Sequence, residues 1–475
     1  MAYRYGQRNQ QTLFPKSIEE YVLEDDAVRA YDAFVEALDF KELGIILDTN
    51  KVGNSAYNPK SMLKLLVYGY SYGFRSSRKL ERALHHNISF MWLLGGMKPD
   101  HKTIAEFRRK NKNALKEVLK QCARLCIELN LIAGNTLFVD GSKMRANASL
   151  NHRWTKERCK KNLEKVDKRI DEILIECEET DRQEKNLESL VKLQEELKDQ
   201  NKLKSKIEQT LKKLKEEKLE SVNTTDPDSV MVKSCHGVHS GYSAEIVVDE
   251  KHGLIVNSDT VSDSNDRRQF AEQINKANEV LGKKCEAACA DTGYSNTTEM
   301  EKIDKQGIKV VVPSQRQVLK KEASQFSNIN FKYDKEKDCY ICPQGHELKY
   351  CSPNYVNNTR KYIIKKSSIC SQCKHFGQCT KSKKGRTITR LMNGDYKERF
   401  EKQYNEKSSQ EIYKLRKQKV ELPFGHMKRN LKFDSFLIRG RTGVNAEMAL
   451  LSTCFNIARM ITIMGGVSAL IEKIS

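Results

Sequence analysis

Long apolar runs are what this 475-residue chain has least of: no stretch of about 18 apolar residues stands out, so no membrane-spanning helix is expected. The opening residues, Met1-Ala2-Tyr3-Arg4-Tyr5-Gly6, lack the apolar core of a signal peptide. A disulfide scaffold is also excluded, because such frameworks staple small secreted domains, whereas this chain is large and has 14 cysteines. Acidic residues are in short supply. There are 63 against 84 basic ones, a net charge of +21. That excess points to a polyanionic partner, with nucleic acid first, and the plain alternative is a basic soluble protein.

What is present is 38% hydrophobic and 31% charged, which suits a protein with long polar helices. The length is too great for one ordinary core, so two to four domains are expected.

Residues 1–135 read as a basic helical region. Val28, Tyr31, Phe34, Val35 and Leu38 follow Asp25-Asp26 at helical spacing. A second helix is expected after Asn58-Pro59, and a third after Ser76-Ser77. Pro99-Asp100 is expected to open one long helix running through Ile104, Phe107, Leu115, Leu119 and Leu125. The polar side carries Arg75, Arg78, Lys79, Arg82, Lys102, Arg108, Arg109, Lys110 and Lys112, compatible with a helix-turn-helix-like DNA reader or with a merely solvated face.

In residues 136–313, Leu137-Phe138-Val139 reads as a buried strand ending at Asp140, with Gly141 and Ser142 turning the chain. Residues 155–222 change to Lys, Glu, Asp and Gln with sparse apolar positions at spacings of three and four. That pattern reads as a coiled helical hairpin breaking near Glu178–Lys185. Strands return at Ala244–Val248 and Leu254–Asn257, and Asn265-Asp266 is expected to cap a helix through Phe270 and Ile274. A small-residue strand then ends at Ala290-Asp291-Thr292-Gly293-Tyr294. The alternation of strands and helices gives a mixed α/β sheet with Asp140 and Asp291 at strand ends.

Residues 314–400 hold Cys339-x2-Cys342, Cys351 and Cys370-x2-Cys373-x5-Cys379. Two Cys-x2-Cys pairs can each give two thiolates to one tetrahedral zinc ion. The favoured ligands are Cys342, Cys370, Cys373 and Cys379, with Cys339 and Cys351 as alternates and His346 and His375 nearby. A fully sulfur-ligated zinc would be structural. Residues 401–475 begin with a long helix from Ser408 to Arg429 that contains Pro423, and a spacing of seven puts Glu421 and Lys428 on one face. A final apolar helix, Val444 to Met464, is expected to pack on the sheet.

These motifs resemble the bacterial insertion-sequence transposases of the DDE type. Phe138-Val139-Asp140-Gly141-Ser142, Ala290-Asp291-Thr292-Gly293-Tyr294 and Glu421-x2-Phe424-Gly425-x2-Lys428-Arg429 match the settings of the three catalytic carboxylates. Tyr57-Asn58-Pro59 through Phe107-Arg108 is similar to the family's N-terminal helical domain. The resemblance implies a ribonuclease H-like mixed sheet, interrupted by the helical hairpin at 155–222 and by a zinc-binding insertion at 314–400, and completed by 401–475. It implies that Asp140, Asp291 and Glu421 hold two Mg2+ ions, with Mn2+ as a substitute, for DNA strand cleavage and strand transfer. It places Lys428, Arg429, Arg416, Tyr413, Lys102, Arg108 and Arg109 on DNA. The family's usual signature is Tyr-x2-Arg-x3-Glu-x6-Lys. Here four residues separate Arg416 from Glu421, which leaves the parts played by Tyr413 and Arg416 open. The implied partners are terminal inverted repeats and target DNA, bound by a homodimer in a prokaryotic cytoplasm, at the nucleoid, with no membrane. The alternatives are an inactive DNA-binding descendant and a Mg2+-dependent nuclease without strand transfer.

Overall fold

The structure is a computed structural model that describes residues 16–47, 56–182, 187–234, 237–263, 265–319 and 325–474. Six helices come first: α1 (Ala27–Glu36), α2 (Pro59–Ser71), α3 (Ser77–His86), α4 (Ile88–Leu93), α5 (His101–Lys110) and α6 (Lys112–Glu128). Side chains that satisfy free N–H groups set their starts. Asp26 accepts from Val28, Asn58 from Lys60, and Asp100 from Thr103.

The single helix expected after Pro99-Asp100 is in fact two. It breaks at Asn111, whose backbone leaves helical values (φ −103°, ψ 24°) while its N–H, at 3.1 Å, and its side-chain amide, at 2.8 Å, both donate to the Phe107 carbonyl. Arg75 is a second correction. It is only 7% exposed instead of solvated, because its guanidinium is held against the buried Glu447 at 2.9 Å.

The chain then enters β1 (Thr136–Arg145) and a helical excursion. β2 (Arg153–Thr155) and β3 (Ser221–Asn223) pair at its base, and α7 (Lys156–Arg182) and α8 (Leu187–Glu216) form the arm. The two helices run antiparallel and bury Cys159, Val166, Ile207 and Leu214, with Asp167 pairing Lys204 at 2.8 Å. The expected break near Glu178–Lys185 lies partly outside the described residues.

The main sheet continues with β4 (Val230–Ser234), β5 (Gly237–Asp249) and β6 (Ile255–Val261). Next come α9 (Phe270–Leu281), β7 (Ala287–Cys289), α10 (Thr297–Asp304), β8 (Lys309–Val311) and α11 (Gln315–Leu319). Strand order is β4-β5-β1-β7-β8, with β6 also on β5. β1 is central, antiparallel to β5 and parallel to β7. Asp266 does not cap α9, which starts at Phe270; its carboxylate meets Lys143 and Ser243 instead.

A separate antiparallel sheet holds the cysteines. Its strands are β9 (Lys332–Asp334), β10 (Cys339–Ile341), β11 (Glu347–Asn354), β12 (Thr359–Ile364) and, after the short α12 (Ser367–Ser371), β13 (Thr387–Leu391). Phe331, Tyr340, Leu348, Tyr362, Ile364 and Ile388 form its own small core. The chain closes with α13 (Gly394–Asn405), α14 (Lys407–Arg429), α15 (Arg441–Met464) and α16 (Val467–Ile474), so the apolar helix is not the last.

By length and composition α15 is apolar enough to cross a membrane, unlike the expectation from the sequence. Two-thirds of that apolar window (67%) is buried in the fold, as in a core helix. It packs on α2, α6 and β6, and the Asn456 side chain bonds both the N–H and the C=O of Ile255. The N-terminal helices and the sheet thus share one continuous apolar cluster.

Candidate active site

The central strand delivers Asp140, but not at its end. β1 stays paired with β5 from Leu137↔Asp249 to Arg145↔Gly241, so Gly141 and Ser142 do not turn the chain. What ends near Asp140 is the other neighbour: parallel pairing with β7 stops at Phe138↔Cys289. Asp140 thus lies just past the paired part of β7, while its backbone stays in register with Ile246 of β5.

Asp291 follows β7 by two residues and opens a 3-10 turn, Thr292–Tyr294, by accepting from the Gly293 N–H at 2.8 Å. Adjacent parallel strands therefore bring the two aspartates to one edge. α14 lies across β1, β7 and β8 and places Arg416 between them. Arg416 Nη2 is 2.7 Å from Asp140 Oδ1 and 3.8 Å from Asp291 Oδ2. Burial pushes the Asp140 carboxyl up to about 6; Arg416 opposes that rise and the charge of Asp291 adds to it.

The rest of α14 explains its direction. Ser409, Val420, Phe424 and Met427 are buried, while Pro423 sits inside the helix and cannot donate to the Lys419 carbonyl. Lys428 Nζ donates to Ser142 Oγ at 2.9 Å. Ser142 lies on the same face of β1 as Asp140, by the two-residue period of a strand. Glu421 is exposed, and it shares a helix face with Lys428. Five residues past Arg416, it points about 140° away round the helix. Among the described residues no group of three or more His, Cys, Asp or Glu side chains is gathered to hold a metal ion. Two of the three expected carboxylates converge, and the third stands apart.

The other expected contacts divide. Lys102 and Arg429 are exposed. Arg109 is exposed but forks onto Glu106 at 2.7 and 2.6 Å. Arg108 is held inside the fold, donating to the Arg75 carbonyl at 2.7 Å and to the Tyr70 hydroxyl at 3.3 Å. Tyr413 packs edge-on against Tyr404.

In the second sheet, Cys342, Cys370, Cys373 and Cys379 line one small cavity with His346 and His375. The His346 N–H lies 3.3 Å from Cys342 Sγ, and the Arg386 N–H 3.4 Å from Cys370 Sγ. Burial pushes the Cys379 thiol up, Arg386 opposes it, and the neighbouring Cys370, Cys342 and Cys373 add to the rise. Cys339 is buried on β10 and Cys351 exposed on β11, both outside this cavity. Four thiols of the right spacing fit a structural zinc ion in kind, although they are not drawn to metal-holding distance.

Sequence reasoning passed over Glu245, which is fully buried on β5 beneath Gly141. The available signal was one acidic residue in the middle of the apolar run Tyr242–Val248.

Two family models match the chain. One described as a transposase DDE domain covers residues 341–461, which hold the four cavity cysteines, Arg416, Glu421 and Lys428. The other, transposase domain (DUF772), covers residues 16–110, from the start of the described chain to the end of α5. Together they indicate an insertion-sequence DDE transposase. No curated protein and no solved structure matches it.

Proposed function

We propose that the protein binds the terminal inverted repeats of its insertion sequence and carries out Mg2+-dependent DNA strand cleavage followed by strand transfer. One observation carries the reading. Asp140 and Asp291, from adjacent parallel strands, converge on a single positive charge borne by the helix that also carries Glu421 and Lys428. Hard carboxylate oxygens set around one cationic position suit Mg2+. The order of the main sheet, antiparallel strands beside β1 and parallel β7 and β8 beyond, supports a ribonuclease H-like core.

In this reading Asp140 and Asp291 are Mg2+ ligands where they stand, and Glu421, which stands apart from them on α14, is drawn in as the third when the ions and DNA bind. Bound Mg2+ ions would activate the attacking oxygen and stabilise the leaving one in an in-line displacement. Arg416, once released from the aspartates, turns its guanidinium to the phosphate being cut, where a forked donor suits two oxygens. Lys428 and Arg429, at the end of α14, hold the backbone beside the cut, and Tyr413 lines the approach. The exposed cations of the N-terminal helices, Lys102 and Arg109 among them, bind the repeat ends with strong salt dependence. A homodimer brings two ends together, and the α7–α8 arm serves as a coiled-coil clamp or dimer contact. Cys342, Cys370, Cys373 and Cys379 hold a structural Zn2+ that fixes the second sheet.

The test uses Asp140→Ala, Asp291→Ala and Glu421→Ala in the full chain. Each is expected to bind repeat-end DNA as the unaltered protein does and to lose Mg2+-dependent cleavage by at least about a hundredfold. Full cleavage by any one of them removes that residue from the site and sinks the three-carboxylate assignment.

A further inference from the structure

Behind the two aspartates runs a second set of polar groups that the proposed chemistry does not use. Tyr294 is the last residue of the 3-10 turn that Asp291 opens, and it is fully buried. Its hydroxyl donates to Glu245 Oε2 on β5. The Ser243 hydroxyl donates to Glu245 Oε1 at 2.6 Å and stands 3.0 Å from Asp266. Lys143, on β1, donates to Ser243 at 2.9 Å and pairs with Asp266. All of this lies on the face of β1 opposite Asp140, because Gly141 faces Glu245 and Lys143 faces Ser243 across the ladder.

The line from Tyr294 to Glu245 passes over the backbone of Gly141. A Cβ built there would stand 2.7 Å from the Tyr294 hydroxyl and 2.9 Å from a Glu245 oxygen. No left-handed backbone calls for glycine at this position, since Gly141 is not among the residues with positive φ. Any side chain at this position would meet both ends of the contact. The contact ties the Asp291 turn to β5 across the strand carrying Asp140. Tyr294 is bonded back to Asp291, its N–H donating to the Asp291 carbonyl at 3.2 Å while the Gly293 N–H donates to the Asp291 carboxylate at 2.8 Å, so what holds Tyr294 bears directly on Asp291.

We propose that Glu245 and Tyr294 are positioning residues that set the separation of Asp140 and Asp291 for a divalent cation, with Gly141 required so that the tie can cross the strand. This deepens the function proposed above and rests on it. The physical expectation is that of outer groups around a metal site, whose loss weakens binding about tenfold or more without removing a ligand.

The experiment measures Mn2+ binding to the full chain without DNA, by the loss of the free-ion electron paramagnetic resonance signal, beside thermal unfolding of the metal-free protein. Tyr294→Phe, Glu245→Leu and Gly141→Ala are each expected to weaken Mn2+ binding about tenfold. Glu245→Gln keeps an acceptor for the tyrosine and is expected to bind within about twofold of the unaltered protein, because the tie survives. A role in folding alone would lower the unfolding temperature of the first three and leave the Mn2+ affinity of the folded protein as it was; that result overturns the proposal. Should Tyr294→Phe not fold, Gly141→Ala and the Glu245 pair decide it in the same way. Asp291→Ala separates the two levels. If it binds Mn2+ like the unaltered protein, the metal site itself is wrong and the tie falls with it. If it loses Mn2+ while Tyr294→Phe and Gly141→Ala do not, only the tie is refuted.

Discussion

Removing the Arg416 guanidinium should make the stability of this protein depend on pH and on metal in a particular direction. Asp140 is about one-fifth exposed (19%), Arg416 is less so (12%), and their 2.7 Å contact is the closest one to the cluster. Burial, opposed by Arg416, holds the Asp140 carboxyl up at about 6 from an ordinary 3.8. A carboxyl raised on folding adds stability that is fully present below its unfolded value and is lost as pH rises through the folded one. For Asp140 that loss is about 2 kcal/mol between pH 4 and pH 7. In Arg416→Ala the carboxylate loses its closest cation, so its folded value moves further up and the loss deepens. At pH 8 the variant should be less stable than the unaltered protein by about 2 kcal/mol, the cost of a buried polar group without its partner. At pH 5 Asp140 carries its proton in both proteins, and the difference should shrink toward zero. Mg2+ should stabilise the variant more than the unaltered protein, because the ion no longer competes with the guanidinium. Thermal unfolding at pH 5 and pH 8, with and without Mg2+, reads all three effects. A deficit equal at both pH values, or a variant insensitive to Mg2+, refutes the view that Arg416 stands in for the cation.

Two further outcomes follow from the same physics. Arg75→Ala strands Glu447, which is fully buried and, among the described residues, is otherwise held by the Leu437 and Ile438 N–H groups, and should cost about 3–5 kcal/mol in thermal unfolding. Arg75→Met with Glu447→Leu should recover most of that loss, and no recovery would mean that the ion pair is not the cause. For the second sheet, metal analysis of reduced protein should find one zinc per chain, absent in Cys370→Ser. Chelation should open residues 325–391 to protease while the main sheet stays protected. Reduced protein without zinc removes that site.

How far the sequence carried depended on distance along the chain. The strand before Asp140, the turn after Asp291, the cap at Asp100 and the face shared by Glu421 and Lys428 rest on neighbours within a few residues, and local pattern was enough. Gly141 was misread because an Asp-Gly-Ser string looks like a turn until β5 is known to pair beyond it. The break at Asn111 is one residue's departure from helical φ and ψ, which apolar periodicity does not register. Arg75 read as one more surface cation because its partner, Glu447, is 372 residues away. Glu245 went unnoticed because Tyr294, which gives it a role, lies in another element 49 residues on. Cys370, Cys373 and Cys379 were legible from spacing because they are local to one another, whereas spacing pairs Cys342 with Cys339, which lies outside the cavity.

The central claim is that the chain cuts and joins DNA ends with carboxylates on β1, after β7 and on α14. The most direct measurement incubates the full-length protein and Mg2+ with linear DNA that ends in the inverted repeats flanking its own gene, plus a target plasmid. Cleavage at the repeat end and covalent joining of the freed 3′-OH to the target are expected, both absent in Asp291→Ala. Binding without cleavage, or cleavage of a repeat end that is never joined to target even when supplied precut, contradicts the claim.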